Sequence, residues 1–180
     1  LRPSDYRPIS VTSILSRELE RIVVKTYIYP SFLDPPPDLD FSNQYAFRPM
    51  GSCTAALIAI LENITDFLRD NDYVVLIALD FSRAFDSIKH STLFEKFAKL
   101  KINNQIYNWL LSFFTNREHS SRFQGTESTS RLINSSVVQG SGLGPASYTV
   151  AASDLKAKSK EVKMFKFADD TSLVTAWKHY

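Results

Sequence analysis

The apolar positions of this chain alternate between segments where they recur every three or four residues and segments where they run unbroken. In ILSRELERIVVKTYIY, residues 14–29, Leu15, Leu19, Ile22 and Val23 fall at helical spacing, with Ser13 placed to cap the segment and Pro30 to stop it. The next stretch, FLDPPPDLDFSN, holds three consecutive prolines, which remove donors and fix the backbone, and it reads as a loop. Residues 54–69, TAALIAILENITDFLR, predict a second helix with Leu57, Ile60, Leu61, Ile64 and Leu68 as its stripe. Tyr73 to Leu79 are an unbroken apolar run between polar residues, the pattern of a central strand buried on both faces.

The second half mixes the same signals. TLFEKFAKL, residues 92–100, predicts a helix opened by Thr92 with Glu95 three residues on, a capping-box pattern, and QIYNWLLSFF at 105–114 predicts another. Ser120 to Ser136, rich in Ser and Thr around Gly125, suggests exposed hairpin strands. A glycine-broken loop then leads into a helix with Pro145 suited to its first turn, and KMFKFADDTSLVTAW reads as strand, turn and strand. Helices and strands without regular βαβ alternation favour an α+β fold.

Composition narrows this only a little. With 180 residues, 44% of them hydrophobic, the chain can bury a core and fits one domain or part of a larger one. A net charge of +2 leans weakly toward polyanionic partners and separates no class by itself. Cys53 is the only cysteine, which excludes an internal disulfide and a cysteine-based zinc site. No apolar run reaches membrane-spanning length and no secretory leader opens the sequence, so neither a membrane partner nor secretion is expected. Opening on LRPSDYRPISV and ending on VTAWKHY, the chain is expected to be a piece of a longer polypeptide.

The candidate chemistry lies in carboxylates. Asp169 and Asp170 stand side by side between two strand-like runs. Inside a regular strand they would point to opposite faces, whereas a turn can bring both to one edge. Two carboxylates about 4 Å apart repel by roughly 4 kcal/mol at an effective dielectric near 20, which invites a cation with a taste for hard oxygen ligands, Mg²⁺ or Mn²⁺. Alone, such a pair is ordinary turn chemistry. Asp80 adds weight, because it ends the run VVLIALD where a strand would deliver a carboxylate to the sheet edge. Asp86 lies beyond that strand and is explained as capping the turn before SIKH. One acid at a strand end and an acid pair on a neighbouring hairpin can hold two ions roughly 3.5 to 4 Å apart, the arrangement used for in-line phosphoryl displacement.

In order along the chain, YRPISV (6–11), QYAFRPMGS (44–52), ALDFSRAFD (78–86), VVQGSGLGP (137–145) and FADDTSLV (167–174) resemble the sequence blocks of reverse transcriptases, most closely those of LINE-type retrotransposons, which lack long terminal repeats. The resemblance spans essentially the whole chain and implies a right-hand polymerase fold. Fingers would occupy mainly residues 1–72 and 91–136, and a palm with a ferredoxin-like antiparallel sheet mainly 73–90 and 137–180, with no thumb in the chain. It implies Asp80, Asp169 and Asp170 as the catalytic acids holding two Mg²⁺ ions, or Mn²⁺ in their place, with help from the main-chain carbonyl of Phe81. It further implies nucleotide-binding roles for Arg7, which would close on the triphosphate, for Arg48 as a secondary candidate, and for Gln139 and Gly140 in a supporting loop. Phe85 would lie beneath the incoming sugar, where a ring clashes with a 2′-hydroxyl; on residue pattern alone the favoured reading is core, on the face shared with Ile88.

The implied activity is RNA-directed DNA polymerisation, with an RNA template, a DNA primer and a dNTP as partners. The implied setting is a retrotransposon ribonucleoprotein, nuclear and cytoplasmic, whose polyprotein also carries an endonuclease and a thumb. Two departures concern loop geometry: Val138 stands where many relatives have Pro, and Ala46 where they have Gly. Three other readings remain open: a viral RNA-dependent RNA polymerase, against which the aromatic Phe85 argues, a catalytically silent RNA-binding scaffold, and a retroelement relic that is never expressed.

Overall fold

The computed structural model describes residues 10–177. Its first helical stretch is α1 (Ile14–Val23), a π-helical segment (Val24–Ile28) and α2 (Tyr29–Leu33) in direct succession. Pro30 was expected to end the helix, yet the chain stays helical to Leu33. The wider π turn just ahead changes the ladder into which the proline ring would otherwise clash, so Pro30 sits at the first positions of a new α-helical turn, where a missing N–H is tolerated. Ser13 stands at the N-cap, but its side chain makes no cap bond.

Of the predicted stripe on α1, only Val23 faces inward. Leu15, at 83% exposure, Leu19 and Ile22 point outward, while Glu20, Val23 and Val24 are buried. A polar bond sets this rotation: Glu20 Oε2 accepts from the main-chain N–H of Leu143 at 3.1 Å, and Ser16 donates to Oε1 at 2.9 Å.

Next comes α3 (Cys53–Asp70), capped by Ser52, whose Oγ accepts from Ala55 N at 3.0 Å. Of its predicted stripe, Ile60 and Ile64 are half-buried, but Leu57, Leu61 and Leu68 are exposed, and Ala56 is the buried residue. With apolar residues on both sides of this helix, spacing alone does not select the inner one. It packs across a three-stranded antiparallel sheet in the order β1-β7-β6, built from β1 (Tyr73–Leu79), β6 (Lys163–Phe167) and β7 (Asp170–Trp177).

β1 is therefore an edge strand rather than the doubly buried central strand expected, and Leu76 is 52% exposed. An unbroken apolar run reports what the side chains are, while burial depends on what covers them. Among the described residues β1 has a strand neighbour on one edge only.

The main core is helical and lies among the first helical stretch, α4 (His90–Lys99), α5 (Asn104–Phe114) and α6 (Gly144–Ala151), with Phe97, Leu110 and Val150 at its centre. The proline loop contributes Leu39 and Phe41, the latter stacked on Phe32 at 4.3 Å. Thr92 does not open α4, which begins two residues earlier because His90 N donates to Asn134 O at 2.9 Å, a main-chain cap. At α5 the cap is Asn103, accepting from Ile106 N at 2.8 Å.

The region between α5 and α6 forms two small hairpins as expected. The outer pairs β2 (Glu118–His119) with β5 (Arg131–Leu132), and the inner pairs β3 (Arg122–Phe123) with β4 (Thr126–Glu127). Gln124 and Gly125 both have positive φ, as a two-residue hairpin turn of type I′ requires. α6 is buried around most of its circumference and carries Pro145 in its first turn, as predicted. No helix among the described residues is long and apolar enough to cross a membrane.

Candidate active site

The sheet brings the sequence-distant acids to one end. β1 and β7 pair from Tyr73 opposite Trp177 to Leu79 opposite Thr171, and the next residue on each strand is Asp80 and Asp170. Asp80 lies just past the last paired residue, so the register brings it and Asp170 to the same end of the sheet. β6 and β7 close on Phe167 opposite Asp170, leaving Ala168 and Asp169 as a two-residue turn. Asp80 and Asp170 are exposed and Asp169 is half-buried.

Among the described residues, no Lys or Arg forms an ion pair with any of the three. Their oxygen donors have the hard chemistry that Mg²⁺ or Mn²⁺ takes, and uncompensated negative charge at one sheet end fits a cation. The side chains as they stand are not drawn into a ready ligand set: no group of three or more His, Cys, Asp or Glu residues among those described is gathered for a metal.

The acids have an aromatic neighbour. Tyr148, on α6, feels Asp169 and Asp170; burial first, and then those two charges, push its hydroxyl up to about 12. The ring of Phe85 stacks on Tyr148 at 4.4 Å between centroids and 21° between planes, and Phe47 meets Phe85 edge-on at 6.3 Å. Phe85 is half-buried, and Ile88, its expected companion, packs against the helical core while Phe85 does not. Phe81, directly after Asp80, is exposed. Asp86 accepts from Ser136 Oγ at 3.3 Å, a contact with a residue fifty positions further along the chain.

The loop before α6 is shaped by close backbone approach. Gly140 has φ +88°, and a Cβ there would stand 3.3 Å from Ser10 O; Thr12 Oγ1 donates to Gly140 O at 3.4 Å. Gly142 lies against α1 so closely that a Cβ would come within 2.6 Å of Arg17 O. Gln139 is exposed. Arg48 is half-buried and its guanidinium donates to the main-chain carbonyl of Phe41, holding its own loop. Arg7 lies outside the described residues.

Sequence reading passed over three buried polar residues that hold this site together. Glu20 ties the 141–143 loop to α1. Gln44 grips the acidic turn through Ala168. Lys166 donates to the carbonyls of Ala152 and Leu155 at 2.8 and 3.1 Å, linking β6 to the end of α6, and burial lowers its pKa to about 8. The available signal was the placement of Gln44 within QYAFRPMGS and of Lys166 within FKFADD. A cavity of about 760 Å³ lies elsewhere, between the start of α4, the end of α5 and residues 132–135, and none of the three acids lines it.

Compared with known proteins, residues 2–179 match the family model described as reverse transcriptase (RNA-dependent DNA polymerase). The chain is 28% identical over 179 residues to the probable RNA-directed DNA polymerase from transposon BS of Drosophila melanogaster, covering 96% of this chain and 19% of that protein. It is 27% identical to the RNA-directed DNA polymerase from mobile element jockey of Drosophila funebris, over 94% of this chain and 19% of the relative. To the retrovirus-related Pol polyprotein from type-1 retrotransposable element R2 of Popillia japonica it is 23% identical, over 96% of this chain and 25% of that protein. The chain thus spans about a fifth to a quarter of the length of these relatives.

Proposed function

Because the chain belongs to the reverse transcriptase family, we propose that it is the polymerase core of a LINE-type retrotransposon protein, adding a dNTP to a primer 3′-hydroxyl as an RNA template directs. The observation that supports this reading is the strand register, which ends one residue before Asp80 on β1 and pairs Phe167 with Asp170, so that the segments carrying the three acids lie at one end of the sheet. In this assignment the sheet with its acidic end is the palm, and the segments before β1 and around α4 and α5 belong mainly to the fingers. Further parts of the protein, an endonuclease and a thumb among them, would accompany it.

The reaction joins the 3′-oxygen to the α-phosphorus and breaks that phosphorus's bond to the pyrophosphate. Asp80, Asp169 and Asp170 would hold divalent cations, with the Phe81 carbonyl in support. When bound, such ions lower the pKa of the attacking hydroxyl and neutralise the departing pyrophosphate. The chain's own residues orient the rest. Phe85, backed by Tyr148, fills the space where a 2′-hydroxyl would enter. Gln139 and Gly140 present a loop of exposed backbone to nucleotide and template. Arg7 would close on the triphosphate. Arg48 is better employed in holding the loop that carries Phe47.

The test is primer extension on an RNA template with Mg²⁺ or Mn²⁺, using the full protein. Asp80→Asn and Asp169→Asn should each abolish extension while leaving the fold intact. RNA binding without extension in the unvaried protein would replace this reading with that of a silent scaffold.

A further inference from the structure

The turn that carries the acids is held from outside its own hairpin by one buried amide. Gln44 is 2% exposed, and its Oε1 accepts from Ala168 N at 3.0 Å and from Ala46 N at 3.0 Å. Its Nε2 donates to Ala168 O at 3.3 Å. Both main-chain polar groups of Ala168 are therefore bound by one side chain. Two main-chain bonds frame this contact, Tyr45 N to Lys166 O and Lys166 N to Asn43 O, each 2.7 Å.

Ala168 is a demanding place for such a grip. It is the first residue of a two-residue hairpin turn and has φ 56°. A positive φ at that position alone belongs to the type II′ turn, which ordinarily uses glycine because a Cβ resists it. Here the residue is alanine, and the conformation persists where surrounding bonds impose it. The amide of Gln44 supplies those bonds. A carboxylate could accept but not donate, and the shorter Asn would not reach with the same atoms. The residue following Ala168 is Asp169, so a change in the alanine's backbone angles swings the first acid of the pair directly.

We infer that Gln44 is a positioning residue for the acidic site: it holds Ala168 in the left-handed conformation and thereby sets where the carboxylates of Asp169 and Asp170 stand. The inference rests on the polymerase reading above, since it takes those acids to be the cation site. It also ties the loop at 41–52, which bears Phe47 against Phe85, to the acidic turn, so the wall of the nucleotide site and its acids share one anchor.

The experiment uses the full protein with Gln44→Met, Gln44→Glu, Ala168→Gly, the double variant Gln44→Met/Ala168→Gly, and Asp169→Asn. It reads direct Mn²⁺ binding and hydrogen exchange at the Ala168 amide. Gln44→Met should raise the half-saturating Mn²⁺ concentration by about ten- to a hundredfold, the usual effect of removing a residue that orients a ligand, and should strip protection from the Ala168 amide. Adding Ala168→Gly should recover part of the lost affinity, because glycine takes the positive φ unaided. A residue that matters only for packing would show no such rescue. Gln44→Glu keeps the acceptor and loses the donor; it should show a smaller loss in the same direction, and carries the comparison if Gln44→Met does not fold. Unchanged Mn²⁺ binding in both Gln44 variants, or a loss that Ala168→Gly fails to recover, overturns the inference. If Asp169→Asn removes Mn²⁺ binding in that case, the polymerase reading survives and only the role of Gln44 falls; if Asp169→Asn also binds normally, both fall.

Discussion

At the scale of single residues, the side chain with the most specific consequence is Phe85, because a ring stacked at 4.4 Å on a buried tyrosine has little freedom to yield. Phe85→Val should raise ribonucleotide incorporation relative to deoxynucleotide by about tenfold or more, with little change in dNTP use, measured in parallel single-nucleotide extensions. Equal rejection of ribonucleotides by both forms would make the ring mere packing. Lys166 supports a different measurement. Its folded pKa of about 8 lies below the ordinary 10.5, so between those values the unfolded chain binds the proton and the folded one does not. Stability should therefore rise as pH climbs from about 8 to 10.5, and Lys166→Met should remove that slope in urea unfolding across the range. The acids and Phe85 were singled out because block order marks them. Glu20, Gln44 and Lys166 were not, since a polar residue read locally belongs to the surface. Two of these find their partners 123 and 124 residues away, beyond the reach of any window of spacing.

At the scale of elements, spacing located the helices and the closing hairpin but misjudged which way they face and where some begin. α1 is turned by a carboxylate reaching inward, which a rule that sends charge outward reads backwards. α4 begins at His90 because its first N–H meets a carbonyl from a loop more than forty residues on. These differences can be tested. Ser52→Ala should cost about 1 kcal/mol of stability, since Ser52 caps α3 through its side chain. Thr92→Ala should cost almost nothing in the same denaturant titration, because the threonine lies exposed inside α4. A comparable loss at both positions would restore the capping box that the sequence suggested. The π segment before Pro30 has no local sequence signature; it accommodates a proline in a helix whose far end, at Phe32, is fastened by the core.

At the scale of the whole molecule, the α+β class and the order of elements were readable, but the location of the core was not. Helices from both ends of the chain share one apolar cluster, while the sheet that bears the acids is covered by α3 and keeps much of β1 open. Charge follows the same economy: a net +2 leaves few cations in excess for phosphates. Binding of a primer and template duplex by these 180 residues should therefore be weak, with a shallow dependence on salt; a steep loss of affinity across a salt series would show a concentrated phosphate-binding surface. The bond between Gln44 and Ala168 also has a consequence in time. A ribosome delivers the glutamine 124 residues before the turn it holds, so the nascent polypeptide carries a lock whose key has yet to be made. α4 and α5, neighbours in the chain, can find each other early, whereas closing so long a loop costs entropy that is repaid only at the end. The acidic turn should therefore reach its final geometry only after that long loop has closed.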